Sequence, residues 1–241
     1  MIISSFSNGF NKGSLISLLM LVPIVLISLT FHEVAHGYVA YLCGDKTARN
    51  FGRLTLNPIK HLDLVGTLMM LIIGFGWAKP VPINPRNFKN FKRDLVLVSI
   101  AGPLSNFVLA FIAVILLVLF NNLLNINFTS ATTSSQIIFL IYYFFSLFAT
   151  LNIGLGLFNL IPIPPLDGSR ILSVLLPARL SIAYNKIEDY TRYIFLGLIL
   201  LSYIPFNIGP FNSVSDLVFY PLEWAREGIL EFMFYIVSIP F

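Results

Sequence analysis

Charge is what this sequence lacks most. Only 11% of its 241 residues are Asp, Glu, Lys or Arg, against about a quarter in a soluble domain. Hydrophobic residues make up 57%, and the mean hydropathy is +0.85. A water-soluble globule is excluded on these figures. The single cysteine, Cys43, excludes an intrachain disulfide and any cysteine-built metal site. The net charge is only +4, with the basic residues spread over loops, so no nucleic-acid partner is expected. Nor is there room for a large soluble domain, because each membrane crossing uses about 20 residues. A cleavable signal peptide is not expected either. The first apolar run is too long for one and shows no small-residue cleavage site. Internal repeats and low-complexity tracts are absent.

What the sequence does have is long apolar runs. Residues 15–42 form the first, with Pro23 inside and Gly44 as the expected C-cap. Residues 95–120 and 137–161 form the second and third. A fourth span is expected at 193–206. From Tyr220 a charged segment is followed by about ten apolar residues, which suits an interfacial helix better than a crossing. Residues 65–77 are apolar but too short to cross, and read as re-entrant. After them "KPVPIN" reads as extended chain. The expected fold is therefore an all-α polytopic membrane protein. It has three core transmembrane helices, one to two peripheral helices, and a re-entrant or β-hairpin-like segment between the first two core helices. It is expected to be a single domain over 1–241, with the core at about 15–175 and peripheral helices at about 190–241.

Charge asymmetry orients this layout. Nine of the fifteen basic residues lie between Lys46 and Arg93, four more between Arg170 and Arg192, and none in 121–136. Cytoplasmic loops carry the excess of Lys and Arg. Segments 44–94 and 162–192 are thus assigned to the cytoplasm and 121–136 to the outside, with the amino terminus outside.

Within the first run stands His32-Glu33-Val34-Ala35-His36, an H-E-x-x-H pattern. On a helix, positions i and i+4 share a face, so both imidazoles can bind one zinc ion while the adjacent glutamate serves as general base. The bare pattern is weak, but ionisable groups inside a membrane span are costly and point to function. Separate interhelical hydrogen bonds would account for each residue singly and not for their spacing. A catalytic zinc takes three protein ligands. His61, between Lys60 and Asp63, reads as a solvated loop residue. Asp167 is the strongest candidate for the third position. It follows Pro162, Pro164 and Pro165, which end the third span, and precedes Gly168, which permits a sharp turn. On spacing alone two readings of Asp167 stand equally: a metal ligand, or the N-cap of a helix over 168–176.

"FHEVAHGYVAYLCGD", "AGPLSNF" and "NLIPIPPLDGSRIL", in that order, resemble the site-2 protease family of intramembrane zinc metalloproteases, peptidase family M50, in its compact prokaryotic form. The likeness spans roughly residues 25–175. It implies one Zn2+ per chain held by His32, His36 and Asp167, with Glu33 as catalytic base. It also implies an endopeptidase that cuts within or near transmembrane segments of membrane-anchored substrates, in regulated intramembrane proteolysis. The partners implied are a transmembrane protein substrate and the lipid bilayer; a homo-oligomer is compatible with the sequence. The location implied is the cytoplasmic membrane, multi-pass, with the active site nearer the cytoplasmic face. A transmembrane substrate must unwind before it reacts, and its freed backbone groups then need partners. "KPVPIN" can supply a pairing strand, and Asn106 and Asn159 can donate to substrate backbone or oxyanion. The blander reading has Gly102 allowing close helix packing and Asn106 bonding a neighbouring helix. Two other functions compete: a zinc transporter using the same His/Glu cluster, and an inactive substrate-binding chaperone.

Overall fold

In the computed structural model, residues 12–63, 65–66, 78–124, 133–187, 190, 197, 205–208 and 211–238 are described. Three long helices dominate: α1 (Lys12–Leu42), α3 (Phe91–Leu124) and α4 (Thr133–Leu160). Among the described residues these three are long and apolar enough to cross a membrane. Only 28%, 33% and 22% of their most apolar stretches are buried inside the molecule, so most of each helix is left for lipid. The expected polytopic all-α fold is thus the observed one. Pro23 and Pro103 lie inside α1 and α3 without ending them, as membrane helices tolerate when neighbours satisfy the freed groups.

α3 is central, packing against both α1 and α4. Ile24, Ala113, Val114, Phe148 and Ala149 form one buried cluster where the three meet. Small residues there let the backbones approach closely, which is the main source of helix association in lipid. Leu230, Met233, Phe234 and Val237 close over this cluster from α7 (Val214–Ser238). The carboxyl-terminal segment is therefore one helix of 25 residues lying against α3 and α4, longer than the short interfacial piece expected from its charges. The fourth span expected at 193–206 lies largely outside the described residues. At its end, Pro205 and Phe206 belong instead to a two-stranded antiparallel ribbon, β1 (Pro205–Ile208) with β2 (Phe211–Ser213).

α1 ends where Gly44 was expected to end it. Gly44 has φ of +111°, its N–H bonds Tyr41 O at 3.1 Å, and the Asp45 N–H bonds Ala40 O at 2.9 Å. This 5→2 and 6→1 pair is the Schellman closure. The next turn is a clasp around the buried Asp45 carboxylate. It accepts from Asn84 N at 2.7 Å, Asn87 Nδ2 at 2.8 Å and Thr47 N at 3.1 Å, Thr47 opening the short α2 (Thr47–Asn50). Burial by itself would raise the Asp45 pKa, but the hydrogen bonds from Thr47, Asn84 and Asn87 outweigh it and hold the carboxyl below its ordinary value. The clasp ties the chain entering α3 to the end of α1.

The re-entrant segment expected at 65–77 falls almost wholly outside the described residues. Its flanks meet: Leu62 and Ala78 form an isolated antiparallel bridge, and Lys79 N donates to His61 O at 2.9 Å. His61 is not solvated as expected. It is 2% exposed, with Nε2 donating to Thr55 O at 2.8 Å, and its turn, Pro58–His61, packs against α1.

Candidate metal centre

His32 and His36 lie one turn apart on α1, and their Nε2 atoms approach to 3.0 Å. The third group comes from beyond α4. After Leu160 the chain turns through its proline-rich stretch into α5 (Asp167–Leu175), which is followed by α6 (Ala178–Asn185). Asp167 Oδ2 lies 3.2 Å from His32 Nε2 and 3.1 Å from His36 Nε2. All three residues are buried. Leu166, not Asp167, occupies the N-cap of α5. The capping alternative is thereby removed, and the carboxylate is directed at the histidines. Gly168 makes the turn possible, since a Cβ there would lie 2.5 Å from the Leu160 carbonyl carbon.

These donors fit zinc. A tetrahedral ion with bonds near 2.0–2.1 Å sets its ligand atoms roughly 3.3 Å apart, close to the three separations found here. Gly102 on α3 cradles the pair of rings. A Cβ there would overlap His36 Nε2 and come within 2.6 Å of His32 Cε1 and His36 Cε1. The close packing expected of Gly102 is therefore against the two imidazoles. Each ring is also held from behind: His36 Nδ1 donates to Val98 O at 2.7 Å, and His32 Nδ1 donates to Asn106 Oδ1 at 2.7 Å. Such outer bonds fix ring orientation and raise ligand basicity.

The structure gives both asparagines partners other than a substrate. Asn106 is fully buried, its carbonyl spent on His32 and its Nδ2 donated to Asn152 Oδ1 at 2.8 Å. Asn159 Nδ2 donates to Leu155 O of its own helix at 3.0 Å. Both expected substrate donors thus spend one N–H within the protein. Asn152, Val98 and the ring-cradling role of Gly102 were missed. An uncharged polar residue deep in an apolar run was the one visible sign of Asn152.

Glu33, half-buried, accepts from Val81 N at 2.8 Å. This bears on "KPVPIN", which forms no regular strand. Pro80 and Pro82 have no N–H, and the Val81 N–H is held by Glu33. An added strand finds only carbonyl acceptors at 80–82 while that bond stands.

Comparison with known proteins agrees with this arrangement. "Putative zinc metalloprotease YwhC" of Bacillus subtilis (strain 168) is 48% identical over 212 residues, covering 88% of this chain and 89% of the relative. "Putative zinc metalloprotease Rip2" of Mycolicibacterium smegmatis is 34% identical over 148 residues, 59% of this chain and 52% of that one. "Zinc metalloprotease MJ0392" of Methanocaldococcus jannaschii is 30% identical over 153 residues, 64% of this chain but 33% of that one. No solved structure matches. The family described as Peptidase family M50 matches residues 20–202, well over half the chain. With three spanning helices converging on a His–His–Asp cluster, the chain belongs to peptidase family M50 and is a multi-pass membrane metalloprotease.

Proposed function

We propose that this zinc metalloprotease is an intramembrane endopeptidase that hydrolyses peptide bonds within or near transmembrane segments of membrane-anchored proteins. His32, His36 and Asp167 are its zinc ligands and Glu33 its base. The observation that carries the reading is the mutual approach of the three donor atoms, at 3.0–3.2 Å, inside the helical bundle. His36 and His32 precede Gly44 by 8 and 12 residues. At 1.5 Å per residue this sets them about 12–18 Å below the end of α1. That end adjoins the basic segment 46–93, which the positive-inside rule assigns to the cytoplasm. The site thus belongs nearer the cytoplasmic face of the cytoplasmic membrane.

Zinc held there supplies Lewis acidity, acidifying water and polarising a carbonyl. The chain's own residues do the rest. Asn106 and the Val98 carbonyl keep both Nε2 atoms turned inward. A Glu33 carboxylate oxygen takes the proton of the attacking water and later delivers it to the leaving amine. For this Glu33 gives up Val81, whose N–H then becomes free to receive an unwound substrate carbonyl. A transporter would need ligands along a path. Among the described residues the metal-ligating groups form one cluster.

The test is cleavage of a panel of single-span substrates by purified zinc-loaded protein beside Glu33→Gln. Wild type is expected to cut within the span, and the variant to keep zinc and lose cleavage by at least about 100-fold. Equal cleavage by both would remove Glu33 as base. Absence of cleavage by either, with zinc bound to both, would remove the endopeptidase reading.

A further inference from the structure

The bonds behind His32 continue beyond Asn106. Asn152 of α4 donates through Nδ2 to Ser28 Oγ at 2.8 Å and to Phe148 O at 2.9 Å, and Ser28 Oγ donates to Ile24 O at 2.7 Å. Ser28, Asn106 and Asn152 are each 0% exposed, so water does not compete for any of these groups. The chain of bonds runs Ile24–Ser28–Asn152–Asn106–His32 and links α1, α3 and α4.

Its direction is forced. A backbone carbonyl only accepts, so the Ser28 hydroxyl must give its one proton to Ile24 O. Ser28 then has only lone pairs for Asn152, and the Phe148 carbonyl likewise demands a donor. Both requirements turn the nitrogen of Asn152 toward them and its oxygen toward Asn106. Asn106 must answer with its nitrogen, which leaves its oxygen facing His32. An oxygen there demands a proton on His32 Nδ1, and in a neutral imidazole that leaves the lone pair on Nε2, the atom aimed at Asp167.

We infer that Asn152, anchored by Ser28 and the Phe148 carbonyl, is a positioning residue that sets the His32 tautomer through Asn106 and so keeps Nε2 available to zinc. The inference rests on the reading of His32 as a zinc ligand. Without Asn152 the Asn106 amide is free to turn over and present its nitrogen to Nδ1. The proton would then move to Nε2 and compete with the metal. Losing an outer partner of this kind typically costs 10–100-fold in metal affinity.

The chain has three histidines, so 15N-histidine labelling of the full-length protein reports three imidazoles. The experiment records them at pH 8 with and without zinc, for wild type, Asn152→Leu and Asn152→Asp, and measures zinc affinity by chelator competition. Wild type is expected to carry a proton on His32 Nδ1 even without zinc. Asn152→Leu should lose it and bind zinc 10–100-fold more weakly. Asn152→Asp, a neutral acid at this fully buried position, keeps an O–H for Phe148 O and an acceptor oxygen for Asn106, and so still orients the Asn106 nitrogen. It should keep the Nδ1 proton and bind within about fivefold of wild type. A merely structural role predicts the reverse order, because a buried polar acid group is costlier than an isosteric leucine.

An unprotonated Nδ1 in wild type overturns the inference. So does Asn152→Leu with the Nδ1 proton kept and affinity within threefold. If Asn152→Leu does not fold, Asn152→Asp decides: retention of the proton supports the relay and its loss overturns it. Zinc that leaves the Nε2 resonances of His32 and His36 unmoved overturns the ligand reading instead. The two failures are distinguishable because Nδ1 is read in the zinc-free protein.

Discussion

Gly102→Ala adds one methyl group where the two imidazoles meet α3. The new Cβ would overlap His36 Nε2 and lie 2.6 Å from His32 Cε1 and His36 Cε1. Ordinary carbon contacts begin near 3.5 Å, so about 0.9 Å must be found. The rings cannot swing away freely, since Val98 O and Asn106 Oδ1 hold their far nitrogens at 2.7 Å. Either those bonds break, or α3 moves away from α1. Metal–ligand distances tolerate about ±0.2 Å, far less than the displacement required. Zinc affinity is therefore expected to fall at least about 100-fold, or roughly 2.7 kcal/mol. Overpacking should add a destabilisation of about 1–3 kcal/mol. Chelator competition reads the first and thermal unfolding in detergent the second. Zinc binding by Gly102→Ala within threefold of wild type would refute the cradle argument, since the rings would then have room that the geometry denies them.

The other predictions act around the same centre. Gly168→Ala places a Cβ against the Leu160 carbonyl and should push Asp167 off its position. Zinc content by metal analysis should drop while α1 and α3 keep their helicity by circular dichroism. Asp167→Asn keeps the shape but removes the charge, and zinc affinity by chelator competition should fall at least about tenfold. Asp45→Ala strips a buried carboxylate from Thr47, Asn84 and Asn87, and should cost about 1.5–3 kcal/mol in thermal unfolding at neutral pH. The sign with pH follows from the depressed Asp45 pKa. The clasp contributes fully above the unfolded carboxyl's ordinary 3.8 and is lost as pH falls through the lower folded value. The gap between wild type and Asp45→Ala should therefore narrow below about pH 4 in a pH series of unfolding temperatures. A gap unchanged down to pH 2 would count against the clasp.

The helical spans and the His32-Glu33-x-x-His36 register were determined by sequence alone, because both depend only on residues within a few turns of one helix. Composition made lipid the solvent, and in lipid a long apolar run has little choice but to close its own backbone bonds. Gly44 could likewise be assigned as the end of α1, since a left-handed residue is a local requirement. Asp167 was legible halfway. Its prolines and glycine announced a turn, but whether its carboxylate capped α5 or met the histidines depended on how close the end of α4 comes to α1. That approach joins residues 131 apart. The same limit hid the bond between Glu33 and Val81, the burial of His61 and the partnership of Asn106 with Asn152. An asparagine in an apolar helix must find a partner, and sequence conveys that need without naming the partner. Only the packing of α3 between α1 and α4 decided that Asn106 faces a histidine on one side and an asparagine on the other. A side chain's hydrogen bonds are fixed by what surrounds it in space, and in a helical bundle those neighbours come from other helices.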